Sequence, residues 1–199
     1  MNKEQYIKGV YKHIKTVGIV CELINSHLDS ENLRSGIYPV ISDEEIETHD
    51  ASKFSNIELT GYVKQFCTDD KNSPEWQAAL KHHYDNNPHH WQHWLDDLNG
   101  KLCTGMAKPL VMPSEQILIM TADWTAAMLQ YNNTANISGW LNENLLTNKI
   151  NLHRETREYL DSALRDLGIT RVRKYRARNK MFINLVESDV WIKKNLQNR

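Results

Sequence analysis

Five of the chain's nine histidines fall within thirteen residues, HHYDNNPHHWQHW at positions 82–94. Neutral imidazole offers a nitrogen lone pair, so a cluster this dense can hold a divalent cation if the backbone turns its members inward. His82 and His83 stand before the turn Asp85-Asn86-Asn87-Pro88, and His89 and His90 follow it. That turn can fold two helices back and bring both pairs to one point. His89 and His93 are four residues apart, a spacing that serves single zinc sites on one helical face. Neighbours on a helix point about 100° apart, so two or three of the five can converge. The others are surface or packing histidines, and Trp91 and Trp94 read as core.

Three further positions could complete such a site. In HDASK, residues 49–53, an imidazole and a carboxylate stand side by side and can share one cation. Lys53 adds a positive charge suited to a phosphoryl or leaving-group oxygen. The competing reading of this stretch is a solvated helix face. Asp123 lies within the most apolar segment of the chain, EQILIMTADWTAAMLQ. A buried carboxylate without a partner costs roughly 3 kcal/mol or more, so an arginine, a hydrogen-bond network or a metal ion must face it. His13 borders an apolar stripe between Val10 and Val17 and can face inward. A hydrogen-bonded core histidine is the alternative there, with His27 on nearly the same face.

The elements that must position these residues are mostly helical. Ile7, Val10, Ile14, Val17, Cys21, Ile24 and Leu28 alternate three- and four-residue spacing, which predicts a long amphipathic helix over 6–28. Ser42 with Glu45 and Ser55 with Glu58 are capping-box patterns, predicting helices from about Asp43 through Asp50 and from Ser55 toward Phe66. Ser73-Pro74 opens a fourth helix. Asn87-Pro88 predicts a fifth, ended by Asn99-Gly100. Ser114 caps a sixth, apolar nearly all round and therefore central. Asn132 to Gly139 reads as a polar turn, and NLHRETREYLDSALRDLG as an exposed amphipathic helix stopped by Gly168. The tail TRVRKYRARNKMFINLVESDVW mixes strand-like alternation with the basic run 171–180, read as a solvated face with a phosphate-gripping edge as the alternative.

The order H, HD with a following K, HH, HH, D resembles the HD superfamily of metal-dependent phosphohydrolases. In that resemblance His13 matches the first histidine, His49-Asp50 the HD pair and Asp123 the distal aspartate. The spacing around HD is similar to bacterial 5'-deoxynucleotidases. The extra histidines resemble the binuclear branch, in which H…HH lies between HD and the last aspartate, as in HD-GYP phosphodiesterases. HDASKFS…HHYDNNPHHW…ADW is most similar to an uncharacterised family of short phage and bacterial proteins, over roughly residues 13–131. The chain departs from these patterns in three ways. It lacks the GYP signature, it has Lys53 where the nucleotidases carry Glu, and its histidines are compressed into one helix-turn-helix.

The resemblance implies an all-α, HD-domain-like helical bundle over residues 1–150; residues 151–199 lie outside its motif and are expected to form a C-terminal helical or irregular extension packed on that core. The resemblance also implies one or two divalent ions (Mn, Co, Zn, Mg or Fe) held by His49, Asp50 and Asp123, then His13, with His83, His89, His90 and His82 as candidates for a second ion. Two ions would lower the pKa of a shared water and neutralise charge growing at phosphorus. Asp50 and Lys53 are the catalytic candidates, and Lys53, Asn87 and His93 the substrate-binding ones. The expected activity is a nucleotide phosphohydrolase, first a 5'-(deoxy)mononucleotide phosphatase. The alternatives are a cyclic or signalling nucleotide phosphodiesterase, a di-iron oxygenase and a non-catalytic phage factor that binds a host protein.

Composition bounds these readings. The 199 residues allow one sizeable core, and a formal net charge of −1 supplies no field for a long polyanion. The expected partner is therefore a small phosphorylated molecule rather than nucleic acid, and homo-oligomers are compatible with it. Three scattered cysteines, Cys21, Cys67 and Cys103, fit a reducing cytoplasm, that of the host if the gene is a phage's. The N-terminal residues MNKEQYIKGVYKH carry no signal-peptide core, and no apolar run is long enough for a bilayer, so no membrane association is expected.

Overall fold

The computed structural model describes residues 1–31, 37–96, 107–132, 137–147 and 149–169. Cys103, the Asn99-Gly100 stop and the basic run 171–180 lie outside them. The fold is all-α: helices α1 (Lys3–Ser30), α2 (Asp43–Thr48), α3 (Asn56–Cys67), α4 (Pro74–Asn86), α5 (Ser114–Asn132), α6 (Ser138–Leu146) and α7 (Arg154–Asp166). Two short strands, β1 (Leu95–Asp96) and β2 (Lys108–Pro109), pair antiparallel. No helix among the described residues is long and apolar enough to cross a membrane.

Two pairings dominate, α1 along α5 and α3 against α4. The apolar stripe of α1 buries Val17, Val20, Cys21, Ile24 and Leu28 against Ile117, Leu118, Ile119, Met120, Ala122 and Ala126 of α5. Leu160, Ala163 and Leu164 of α7 join this same core, so residues on both sides of position 150 share it. A smaller core of Tyr6, Val10, Tyr62 and Ala79 ties the start of α1 to α3 and α4. His13 lies on α1 between Val10 of the smaller core and Val17 of the larger, and so marks the seam between them.

Three expectations are corrected. The helix beginning at Asp43 does not run through Asp50: it ends at Thr48, and a 3-10 helix, Ala51–Phe54, follows. No fifth helix opens at Pro88, because a turn and the 3-10 helix Trp91–Trp94 lead into β1. Pro88 sterically disfavours the helical conformation at Asn87 (φ −126°, ψ 88°), so it ends α4 without starting another helix. Within the stretch after Gln130, α6 begins at Ser138, inside the segment read as a polar turn. The caps at Ser42, Ser55 and Ser73 and the stop at Gly168 (φ 71°) are where the sequence puts them.

Candidate metal centre

The local breaks in the chain are what let neighbouring residues converge. His49 leaves the helical conformation (φ −50°, ψ 124°), and Asp50 adopts the left-handed one (φ 58°, ψ 14°). That region is uncommon for a residue with a side chain, although aspartate tolerates it better than most. On a continuous helix the two side chains would diverge by about 100°. Here His49 Nε2 lies 3.6 Å from Asp50 Oδ2. The turn after α4 does the same for His89 and His90, whose rings lie 4.4 Å apart.

The first donor set joins three parts of the chain. His13 Nε2 of α1 is 2.8 Å from Asp123 Oδ1 of α5 and 3.7 Å from Asp50 Oδ2. His49 Nε2 is 3.8 Å from Asp123 Oδ1. Donors 2.0–2.2 Å from a shared cation stand roughly 3.0–4.2 Å from one another; the 3.7 and 3.8 Å separations fall in that range, and His13 and Asp123 at 2.8 Å are in direct hydrogen-bond contact. All four donor atoms lie within 4.8 Å of one another.

The second set uses the other oxygen of Asp50. Oδ1 lies 3.5 Å from His83 Nε2 and 3.6 Å from His89 Nε2. His90 Nε2 lies 2.8 Å from His83 Nε2, a separation that needs a proton or a cation between two nitrogens. Asp50, His89 and His90 form a second group able to hold an ion. Asp50 is thus shared, fully buried, with one oxygen toward each set.

The residues present fit a cation on two grounds. Buried His49 Nε2, Asp50 Oδ1 and His89 Nε2 have no hydrogen-bond partner among the described residues. Buried polar atoms are nearly always satisfied, and these three orphans sit together at the two donor sets. The charge count agrees. Asp50, Asp123 and Glu58 are three carboxylates, and among the described residues Lys53 is the one ammonium paired with them (Nζ–Asp50 Oδ2 2.5 Å). That leaves an excess of two negative charges in a buried place, which cations would offset.

The protonation states favour ligation. Burial pushes the Asp50 carboxyl up, but Lys53, His89, His49 and His83 outweigh it and hold the group well below the usual carboxylate range. Burial likewise opposes ionisation of Asp123, and His13 and His49 reverse it. Burial, followed by the neighbouring His89 and His83, pulls His90 well below the usual histidine value, which leaves it neutral. Burial would lower Lys53, yet Asp50 and Asp123 raise it, so it keeps its proton. Burial and the charge of Asp123 push the Cys21 thiol up to about 12, so it is no thiolate near pH 7.

Of the residues singled out in the sequence, His13, His49, Asp50, His83, His89, His90 and Asp123 come together, with Lys53 against them. Others stand aside. His82 points its Nδ1 at Glu58 Oε1 (2.7 Å) rather than into either donor set. His93 Nδ1 donates to the Tyr84 carbonyl (2.8 Å), which anchors the turn after α4. His27 contacts the Asp166 carbonyl (3.1 Å) at the far end of α1. Asn87 Nδ2 donates to Ser52 Oγ (2.6 Å) and to the His83 carbonyl (2.7 Å), tying α4 to the loop that carries Lys53.

Glu58 was visible in the sequence only as part of a capping box. Its backbone N–H does donate to Ser55 Oγ (3.3 Å). Its carboxylate, however, is fully buried and reaches His83 Nδ1 (2.9 Å) as well as His82. Burial raises its pKa, and hydrogen bonds from His83 and Ser52 more than reverse that, so it stays ionised. No local spacing could have signalled this contact, because its partners stand 24 and 25 residues away.

Neither a curated protein nor a solved structure matches this chain. A family model matches residues 2–166, a span that contains all of α1 to α7 and every residue of both donor sets. On that match, the chain belongs to the family described as "Family of unknown function (DUF5662)".

Proposed function

We propose that the chain is a metal-dependent phosphohydrolase of HD type acting on a nucleotide phosphate ester, with a 5'-(deoxy)mononucleotide as the first candidate. The reading rests on Asp50, whose two oxygens address two sets of nitrogen and oxygen donors. When bound, a pair of divalent ions supplies activation of water and neutralisation of charge on phosphoryl oxygens. The donor chemistry, imidazole with carboxylate, suits Mn, Fe, Co and Zn. Two such ions would turn the local excess of two negative charges into an excess of two positive ones. Such a site favours an anionic substrate.

The chain's own residues divide the remaining work. Lys53 keeps its proton and stands at the edge of the first set, where it would donate to a phosphoryl or leaving-group oxygen. The stacked rings of His49 and His89 (4.2 Å) and the edge of Tyr62 against His83 (5.9 Å) restrict water around the ligands. The first set is not fully sealed from solvent, since the side chains of His13, Asp123 and Lys53 retain 10, 11 and 16% exposure. A purely structural ion would call for no such exposure and no unligated lysine beside it.

The test is metal analysis followed by phosphate-release assays on a panel of mononucleotides and cyclic nucleotides with Mn²⁺ or Co²⁺. The expected result is two ions per chain and metal-dependent release of phosphate from a 5'-mononucleotide. Bound iron with oxygen consumption and no phosphate release would replace this reading with the oxygenase. Bound metal with neither activity would leave a binding protein.

A further inference from the structure

The second donor set differs from the first in how its members are held. In the first, His13 and Asp123 meet directly, and both lie on long helices packed along each other. In the second, His89 and His90 sit on a turn, and His83 is the set's one histidine on a helix. Its Nε2, 3.5 Å from Asp50 Oδ1 and 2.8 Å from His90 Nε2, borders the group Asp50, His89 and His90 from the helix side. An imidazole can present either nitrogen, and only a partner on the other nitrogen makes the choice.

Glu58 is that partner. As an ionised carboxylate it can only accept, so His83 Nδ1 must carry the proton and Nε2 must be the lone pair. That Nε2 faces Asp50 Oδ1 and His90 Nε2. Asn87 Nδ2 also lies 3.1 Å from His83 Nδ1, but its two protons already serve Ser52 Oγ and the His83 carbonyl. It makes no competing demand on the ring. His82 contacts the other oxygen of Glu58 from the more exposed side, leaving the oxygen on His83 unshared with it. Gly61, one turn beyond Glu58, allows the approach. A Cβ there would stand 2.3 Å from the Glu75 carbonyl oxygen and 2.4 Å from Ala79 Cβ.

We propose that Glu58 is the positioning residue of the second cation site: it fixes the His83 tautomer and thereby sets that site's affinity separately from the first. The inference rests on the two-ion reading above, and its test separates the two. Metal-free protein and its Glu58→Gln variant are titrated with Zn²⁺ alone, a probe that imidazole-rich sites bind whatever their native ion. In parallel, ¹⁵N NMR of the histidine side chains reads the His83 tautomer in the metal-free state.

The expected result is two Zn²⁺ in the native chain, with the first affinity unchanged in Glu58→Gln and the second weakened by roughly 10–100-fold. His83 is expected as the Nδ1–H form in the native chain and as a mixture in the variant. The unchanged first site reports that the variant is folded, and His82→Ala, which leaves the His83 contact in place, is expected to keep both the tautomer and the second ion. Two ions bound equally well by Glu58→Gln, or a loss spread equally over both sites, would overturn the inference. A native chain that binds fewer than two ions would overturn the two-ion reading instead. The tautomer measurement would then still decide whether Glu58 sets the ring.

Discussion

Lys53 and Asp50 form a buried ion pair whose lysine is already counted in the site's charge balance. Removing the ammonium from a metal-free protein leaves Asp50 beside Asp123 without compensation, at a cost of about 3 kcal/mol for a broken buried pair. Lys53→Ala is therefore expected to melt earlier than the native chain without metal and to regain most of that loss with metal. Its turnover is expected to fall about a hundredfold or more, in line with loss of one donor to a developing charge. Melting curves with and without metal, beside phosphate release, check both halves. A variant that turns over normally would remove Lys53 from the reaction.

Acid sensitivity follows at the same scale. Asp50, Asp123 and Glu58 all have folded pKa values below the ordinary range. Near pH 4 the unfolded chain therefore binds more protons than the folded one. The stability these groups contribute is present above their unfolded values, about 4, and is lost as pH falls through the folded ones. Thermal melts of metal-free protein between pH 7 and 3 are expected to show the loss below about pH 4. The drop should be smaller in Asp123→Asn, which has one such group fewer. An equal drop in both would mean that Asp123 is not held ionised.

At the scale of elements, the close packing of α3 on α4 is what brings a carboxylate to His83. Gly61→Ala would gain about 1 kcal/mol of helix propensity. It would also press a methyl group into a backbone carbonyl and Ala79 of α4, at a cost of about 2–3 kcal/mol because the backbone oxygen cannot rotate away. The expected net loss is about 1–2 kcal/mol by chemical denaturation, and a stabilised variant would contradict the packing. Periodicity and caps made most of these helices legible: the stripe from Ile7 to Leu28, and Ser42, Ser55 and Ser73, act locally. The ends nearest the site were not legible. The chain leaves the helix at His49 and Asp50 and again at Asn87, where a local rule would extend α2 or start a new helix. In each case tertiary convergence of histidines on Asp50 accompanies the break. The role of Glu58 was hidden for the same reason, since its capping position is local and its carboxylate's work is not.

Across the whole molecule, the centre sits at the seam of two cores, with donors from α1, the turn after α2, α4 and its following turn, and α5. The residue types marked these seven donors, because a dense histidine cluster, an adjacent His-Asp pair, a histidine beside an apolar stripe and an aspartate in an apolar helix each demand a partner. The resemblance implied their division, His13, His49, Asp50 and Asp123 against His83, His89 and His90, but not that Asp50 faces both groups with one oxygen each. The family match over residues 2–166 covers this arrangement in full and extends through α7, whose side chains complete the larger core.

The central claim is that Asp50 bridges two cations. It is tested most directly by anomalous diffraction from crystals of the metal-loaded protein, collected on either side of the metal's absorption edge. The account predicts two peaks about 3.5–4 Å apart, one beside His13, His49 and Asp123, the other beside His83, His89 and His90, with Asp50 between them. A metal-loaded crystal with fewer than two peaks within reach of Asp50 would contradict it.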